Sequence, residues 1–174
     1  ALCYPVFEWL KTRAAAPVPE ASVPGGYYEA DFTLELTAPP YGQIYYTTDG
    51  STPTENSQRY EGGIPITDRS DEPNVYHSLR NVVRDWKNFT PAQESVDKGT
   101  VVRAVYISNW GSKSEILTQT YFVGLQPPER GYTLSLVFED EDVFGEDGIY
   151  VTGKAYDEWY LGGCVGEEPL PNYM

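Results

Sequence analysis

Residues 139–148, "EDEDVFGEDG", hold six carboxylates and form the densest acidic stretch of the chain. Paired carboxylates hydrolyse glycosides when held on opposite walls of a cleft. Neighbours on one loop do not take that geometry by themselves. As a calcium loop the stretch departs from the helix–loop–helix template, since Phe144 falls at a ligand position and no glutamate closes the loop. Asp140, Asp142 and Asp147 are the side chains that a non-standard structural calcium site would use; a solvated acidic turn is the simpler reading. A nucleophilic triad would have to use His77, the one histidine, and no G-x-S-x-G elbow accompanies it. With a single His and two distant cysteines, Cys3 and Cys164, a clustered zinc site is excluded by spacing. Neither "GGIPIT" nor "LGGCVGEE" is followed by Lys-Ser/Thr, so no phosphate-cradling loop is supported. The residues therefore point to a chain that is not an enzyme and holds no cofactor.

Aromatic side chains are the second source of chemistry. The chain has 15 Tyr, 6 Phe and 4 Trp. Tyr packs well on a half-buried pleated surface, and Tyr and Trp also supply rigid contact area with a polar tip. For stacking a flat ligand such as a sugar ring, the candidates are Trp110, Tyr45, Phe89, Trp86 and Trp159. Trp110 lies in "SNWGSKS" at an expected turn tip, where few neighbours can cover a ring. Trp86 lies on an apolar stripe, where core packing is its default role.

Charge narrows the partners. Twelve basic and 26 acidic residues give a formal net charge of −14. Most of this surface repels a phosphate backbone, so nucleic acid is excluded as a partner. An anionic membrane is disfavoured for the same reason, and no run is apolar enough for membrane insertion. Neutral polysaccharide remains open, as do adjacent domains of the same polypeptide; the chain itself is expected to be a monomer. Cys3 and Cys164 either clamp the two ends as a disulfide or remain two lone thiols.

The elements that must position these residues are mostly strands. In "DFTLELTAP", Phe32, Leu34 and Leu36 alternate with Thr33, Glu35 and Thr37, a half-buried strand. "QIYYTT" puts Ile44 and Tyr46 on one face and Tyr45 and Thr47 on the other. "GIPIT" is a third strand, placed at an edge or bulge by Pro65. "TVVRAVYIS" and "EILTQTYFVG" are the two longest, with Val102, Ala104 and Tyr106 sharing one face of the first. "YTLSLVFE" and "GIYVTG" add two short strands. The stretch "IYYTTDGSTPT" at 44–54 reads as strand, tight turn and exit, with Gly50 supplying positive φ and Asp49 bonding its own backbone. An N-terminal segment with Tyr4, Val6, Phe7, Trp9 and Leu10 is a candidate short helix, followed by a proline-spaced extended lead-in. Between 71 and 99, Val75, Leu79, Val82 and Trp86 recur at helical spacing, with Asn74 as cap and Pro91 beyond the end. The expected fold is all-β: an immunoglobulin- or fibronectin-like antiparallel sandwich over 24–124. A lead-in occupies 1–23, a helical insertion 71–99, and a C-terminal extension 125–174.

Two family resemblances follow from the quoted motifs. "PGGYYEADFTLELTAP", "IYYTTDGSTPT", "YEGGIPI", "GTVVRAVYIS" and "SEILTQTYFVG", in that order, resemble the chitobiase/β-hexosaminidase C-terminal-type module. That is a small immunoglobulin- or fibronectin-like sandwich that accompanies catalytic or surface domains. "YTLSLVFEDEDVFGEDGIYVTG" and then "YDEW" resemble the opening segment of spore-coat-protein-H (CotH) kinase-like proteins. The resemblance implies a secreted or cell-surface protein of anaerobic gut bacteria, in some cases one with cellulosome docking modules. The nucleotide- and metal-binding acids of that family's kinase core would lie downstream, and no position here inherits them. Two roles are open: a non-catalytic carbohydrate-binding accessory module, or a structural spacer or docking module orienting a kinase-like domain. Three or more rings lining one open face would favour the binder, and burial of every Trp and most Tyr would favour the spacer.

Overall fold

The computed structural model describes residues 15–91 and 93–173. The chain forms two compact units. The first takes residues up to Ser70 and then Asp97–Ser135. The second takes Asp71–Val96 and Leu136–Met174.

The first unit is an all-β sandwich. Its large sheet has the order β2 (Gly26–Tyr28), β9 (Leu117–Val123), β8 (Thr100–Ser108), β5 (Gly42–Thr47), β6 (Gln58–Arg59). Facing it are two short pairs, β1 (Glu20–Ala21) with β4 (Leu36–Thr37), and β3 (Phe32–Leu34) with β7 (Ile64–Ile66). Every pair is antiparallel except β2 with β9, which run parallel. The alternation in sequence becomes the layer between the sheets: Leu34, Leu36, Ile64 and Ile66 from the short pairs meet Ile44, Tyr46, Val102, Ala104 and Tyr106 from the large sheet. Burying such side chains stabilises the unit by about 1.5–3 kcal/mol each before the ordering entropy is subtracted. Tyr121 is the largest fully buried residue. Its hydroxyl donates to the Val23 carbonyl at 3.0 Å, so the ring's polar tip is not stranded in the core. Pro65 sits opposite Thr33 on β7, which pairs with β3 alone, an edge position of the kind that tolerates proline.

The sandwich begins earlier than its motifs imply. Glu20–Ala21, inside the expected lead-in, already pairs with Leu36–Thr37. Gly26–Tyr28, inside the expected sandwich but not read as a strand, adds the parallel strand at the β9 edge. Two- and three-residue strands carry too little alternation to register in a sequence. The N-terminal apolar patch and Cys3 lie outside the described residues. Cys164 is exposed and free, with φ at 61°.

The second unit corrects the helical reading of the insertion. In place of an α-helix there is one 3₁₀ turn, Tyr76–Ser78, followed by a string of turns. Backbone bonds span three residues, as in Val83 N–H to Arg80 O (3.3 Å) and Asn88 N–H to Asp85 O (3.2 Å). Asn74 does not cap a helix. Its Nδ2 donates to the Glu94 carbonyl (2.9 Å) and its Oδ1 accepts from Val96 N–H (3.2 Å), which ties the two ends of the insertion together. Val75 is left largely in solvent, so the apolar stripe does not form one face.

The two short C-terminal strands are absent as well. Residues 132–138 lie outside regular structure. "GIYVTG" is a turn whose Thr152 N–H and Oγ1 donate to the Asn81 carbonyl, at 2.6 and 3.0 Å. Helices α1 (Asp140–Phe144) and α2 (Lys154–Leu161) form in this region instead. Three acids in the first turn of α1 complement its N-terminal dipole.

Candidate ligand-binding site

The β8–β9 hairpin and the turn between β4 and β5 meet at one end of the sandwich. Gly42 pairs with Ser108, and Asn109 N–H donates to the Tyr41 carbonyl at 2.8 Å. Within the hairpin, Ser112 N–H bonds Ser108 Oγ at 3.0 Å and Tyr106 N–H bonds Ser114 Oγ at 2.9 Å. Gly111 holds φ at 82°, which turns the chain just after Trp110. These bonds present Trp110 at the tip with 42% of its surface exposed. Tyr41, 62% exposed, stands beside it with ring centroids 6.1 Å apart and planes tilted by 46°.

A cavity of about 300 Å³ opens at the turn that carries Tyr41, and neither Tyr41 nor Trp110 lines it. Its walls come from both sides of Tyr41 in sequence, Ala38 and Pro39 before it and Gly42 and Gln43 after it. Inward it reaches Leu36, Ile44 and Tyr106. Gln43 Nε2 donates to the carbonyls of Tyr60 (2.8 Å) and Ile44 (3.2 Å). The Tyr60 hydroxyl donates to Glu35 (2.6 Å) and accepts from Leu36 N–H (3.0 Å), so it is fully committed. Burial first, and then the bond to Glu35, raises its pKa above the ordinary tyrosine value. Lys113 pairs with Glu55 at 3.2 Å, an exposed ion pair worth little in stability.

The five aromatic candidates do not gather into one platform. Trp110 and Tyr45 belong to the sandwich, whereas Trp86, Phe89 and Trp159 belong to the second unit. Tyr45 is half-buried on the outer face of the large sheet, between Arg59 and Val105. Trp86 packs on Tyr160 (5.2 Å) and Trp159 on Tyr156 (5.5 Å), and Tyr156 and Tyr160 stack 6.1 Å apart. Both indole nitrogens are buried without a hydrogen-bond partner. These rings form an aromatic core, with the Lys87 ammonium over Tyr160 at 4.4 Å. Phe89 is half-buried in the same unit. Trp110 stays exposed, so the criterion for a spacer is not met, and the Tyr41–Trp110 pair by itself falls short of the three rings set for a binder. Tyr41 escaped the sequence reading because "APPYG" registers as a turn; a tyrosine at a proline-built turn tip was the available signal.

Asp140, Asp142 and Asp147 are not drawn around a common point. Among the described residues no three His, Cys, Asp or Glu side chains are grouped as metal ligands. Asp140 Oδ1 accepts from the Tyr76 hydroxyl at 2.7 Å, and the Asp142 carbonyl accepts from Ile149 N–H at 3.0 Å. His77 is exposed, with Nδ1 2.8 Å from the Asn74 carbonyl.

The Asp49-Gly50 stretch proves to be a strapped turn. Asp49 Oδ1 accepts from both Ser51 N–H (3.0 Å) and Ser51 Oγ (2.6 Å). The Ser51 side chain chiefly holds the Asp49 carboxyl below its usual pKa. Thr47 Oγ1 donates to the Ser51 carbonyl (2.7 Å), and Arg103 from β8 donates to Gly50 O and Thr52 Oγ1, both at 3.0 Å. The polar side chains of the stretch are thus committed to its own backbone and to β8.

A family model described as Fn3 associated matches residues 32–121, a little over half of the chain. That span runs from β3 into β9 and contains the Asp49 turn, Tyr41 and Trp110. No curated protein and no solved structure matches the chain.

Proposed function

The chain belongs to the Fn3-associated family, an accessory-module assignment, and from that premise we propose that it is a non-catalytic carbohydrate-binding module of a secreted or cell-surface multidomain protein. The observation that carries the proposal is Trp110, held 42% exposed at a hairpin tip beside Tyr41. Leaving two large rings in water forgoes their burial, and stacking of sugar faces gives that exposure a use. The net charge of −14 directs the site to neutral glycans. Affinity electrophoresis against cellulose, xylan and xyloglucan tests it. Retardation in at least one gel is expected, and it should be lost in Trp110→Ala; free migration in all of them removes the proposal.

A second reading has its own support. Tyr132, Leu134, Leu136 and Phe138 are exposed at alternate positions, an apolar run of the kind that marks an interaction surface. Thr133 and Ser135 between them bond to the sandwich through Tyr27 (2.8 Å) and Thr120 (2.7 Å). In this reading the chain is a spacer that orients a downstream CotH kinase-like domain. A longer polypeptide containing such a domain should then lose domain docking, but not glycan binding, when Leu134 and Leu136 are changed to Ser.

A further inference from the structure

We infer that Gly42 is a positioning residue for the Tyr41–Trp110 pair: the close approach of β5 to β8 that its missing side chain permits brings the two rings together. Its part in ligand binding rests on the carbohydrate reading above. Gly42 opens β5 and pairs with Ser108, the last residue of β8. A Cβ at Gly42 would run into the Ile107 carbonyl oxygen. It would also lie 2.5 and 2.6 Å from Cζ and Cε2 of Tyr106, where real Cβ atoms keep at least about 3.0 Å. Neither obstacle steps aside cheaply. The carbonyl belongs to the backbone of β8 and moves only with the strand. Tyr106 is 3% exposed. It pairs with Ile44, and its ring reaches diagonally across the ladder to lie on the Gly42 backbone. A glycine in such a place marks a close approach of one backbone to another.

From this contact the path to each ring is short. Tyr41 immediately precedes Gly42, and its carbonyl accepts from Asn109 N–H at 2.8 Å. Asn109 follows Ser108 and precedes Trp110. Gly111 N–H closes that turn on the Ser108 carbonyl at 2.9 Å. Trp110 is thus carried on a turn that leaves β8 at the Gly42–Ser108 pair, and Tyr41 on a turn that enters β5 at the same pair. A ring in a core is held by its neighbours, whereas these two are 62% and 42% exposed and follow their turns. Parting the strands to admit a methyl group at Gly42 stretches the Asn109–Tyr41 bond and draws the rings from their 6.1 Å spacing. Gly111 plays a different part. A Cβ there meets nothing within 4 Å, and the residue serves its φ of 82°.

The test is the Trp110 indole N–H in a proton–nitrogen correlation spectrum of the full chain, a readout that needs no ligand. Its peak is identified by its loss in Trp110→Phe, and Tyr41→Ala gives its position when the neighbouring ring is gone. Gly42→Ala should move the peak toward that position. Gly50→Val, in the turn at the other end of β5, also costs stability and should leave it in place, which separates positioning from general destabilisation. Asn109→Pro parts the same two turns without touching the core and serves even if Gly42→Ala does not fold. Asn109 is the second residue of the turn 108–111, a position that proline favours, so the turn survives while the donor to Tyr41 is removed. It too should move the peak. An unmoved peak in folded Gly42→Ala or in Asn109→Pro overturns the inference. For whichever glycan the parent binds in affinity electrophoresis, Gly42→Ala should weaken binding about tenfold, the scale of losing one aromatic stacking partner. Unchanged binding beside a moved peak would overturn the part assigned to Gly42 in recognition. A parent that binds no glycan removes the carbohydrate reading, and the peak still decides the positioning.

Discussion

Replacing Gly50 by valine isolates what the Asp49-Gly50 turn does. Gly50 is buried and holds φ at 89°, a region that a β-branched residue enters only at a cost of about 1–3 kcal/mol. The chain has one alternative, which is to let φ relax. The Gly50 carbonyl then turns away from Arg103, and Ser51 N–H turns away from Asp49, bonds of 3.0 Å each. Two such bonds are worth about 1 kcal/mol apiece. Both routes arrive at about 2 kcal/mol. Urea unfolding of parent and variant should show a lower midpoint at an unchanged slope. Gly50→Asn separates strain from crowding, since Asn tolerates the left-handed region while adding as many side-chain atoms as valine or more. Asn should cost clearly less than Val. Equal costs would refute the conformational argument and place the loss in buried space; a Val variant as stable as the parent would refute the turn reading altogether.

The Asp49 carboxylate has a pKa held below the ordinary aspartate value of 3.8 in the folded chain, chiefly by the Ser51 side chain. Its contribution to stability is therefore present above the unfolded value and is lost as pH falls through the folded one. The gap in melting temperature between parent and Asp49→Ala should be open at neutral pH and narrow below about pH 3.8; a gap that widens in acid contradicts the assignment. Tyr121 titrates the other way, with burial pushing its hydroxyl up to about 12. The stabilisation is complete below the ordinary tyrosine pKa of about 10 and is lost as pH rises toward about 12, so alkaline unfolding should steepen there and do so less in Tyr121→Phe. The same variant leaves the Val23 carbonyl without its 3.0 Å donor and should cost about 1–3 kcal/mol at neutral pH by denaturant titration. For the double variant Gly50→Val/Trp110→Ala, stability loss should equal that of Gly50→Val alone and binding loss that of Trp110→Ala alone, within about 0.5 kcal/mol.

Legibility followed the length of the pattern. The strand with Val102, Ala104 and Tyr106 on one face has nine residues, and those three are buried together in the core. Leu34 with Leu36, Ile44 with Tyr46 and Tyr121 with Val123 were equally readable, because alternation leaves each strand one way to face the layer between the sheets. The insertion misled for a physical reason. Apolar spacing of four, three and four does not by itself close a helical ladder: Asn74 reaches across to Glu94 and Val96 in place of capping one, and Asp85 and Asn88 bond each other's side chains within a turn. Residues 132–138 alternate as well as any strand here, yet their apolar members remain in solvent: alternation states which side chains share a face, not whether another layer exists to cover them. At the candidate site Trp110 was legible as an exposed ring at a turn. Its partner Tyr41 lies 69 positions away, and the pairing of Gly42 with Ser108 and the Asn109 N–H bond to the Tyr41 carbonyl bring the two turns together.

That pairing also explains how one small sandwich can separate stability from recognition. β5 lies against β8 from Gly42↔Ser108 at one end to Thr47↔Arg103 at the other. Five residue steps at about 3.3 Å put these ends roughly 17 Å apart. At the Thr47 end the polar groups bond one another and the turn: Arg103, Asp49, Ser51 and Thr47 strap its backbone in place. At the Gly42 end, hydrogen bonds of the hairpin hold a backbone whose rings point away from the core. A ligand site needs surface that folding does not consume, and a fold needs ends that do not fray. Here the same two strands supply both, one at each end. The distinctive "TTDGSTPT" motif therefore reports on the strapped end of the sandwich, while the residues that would choose a ligand lie in the turns at the other end.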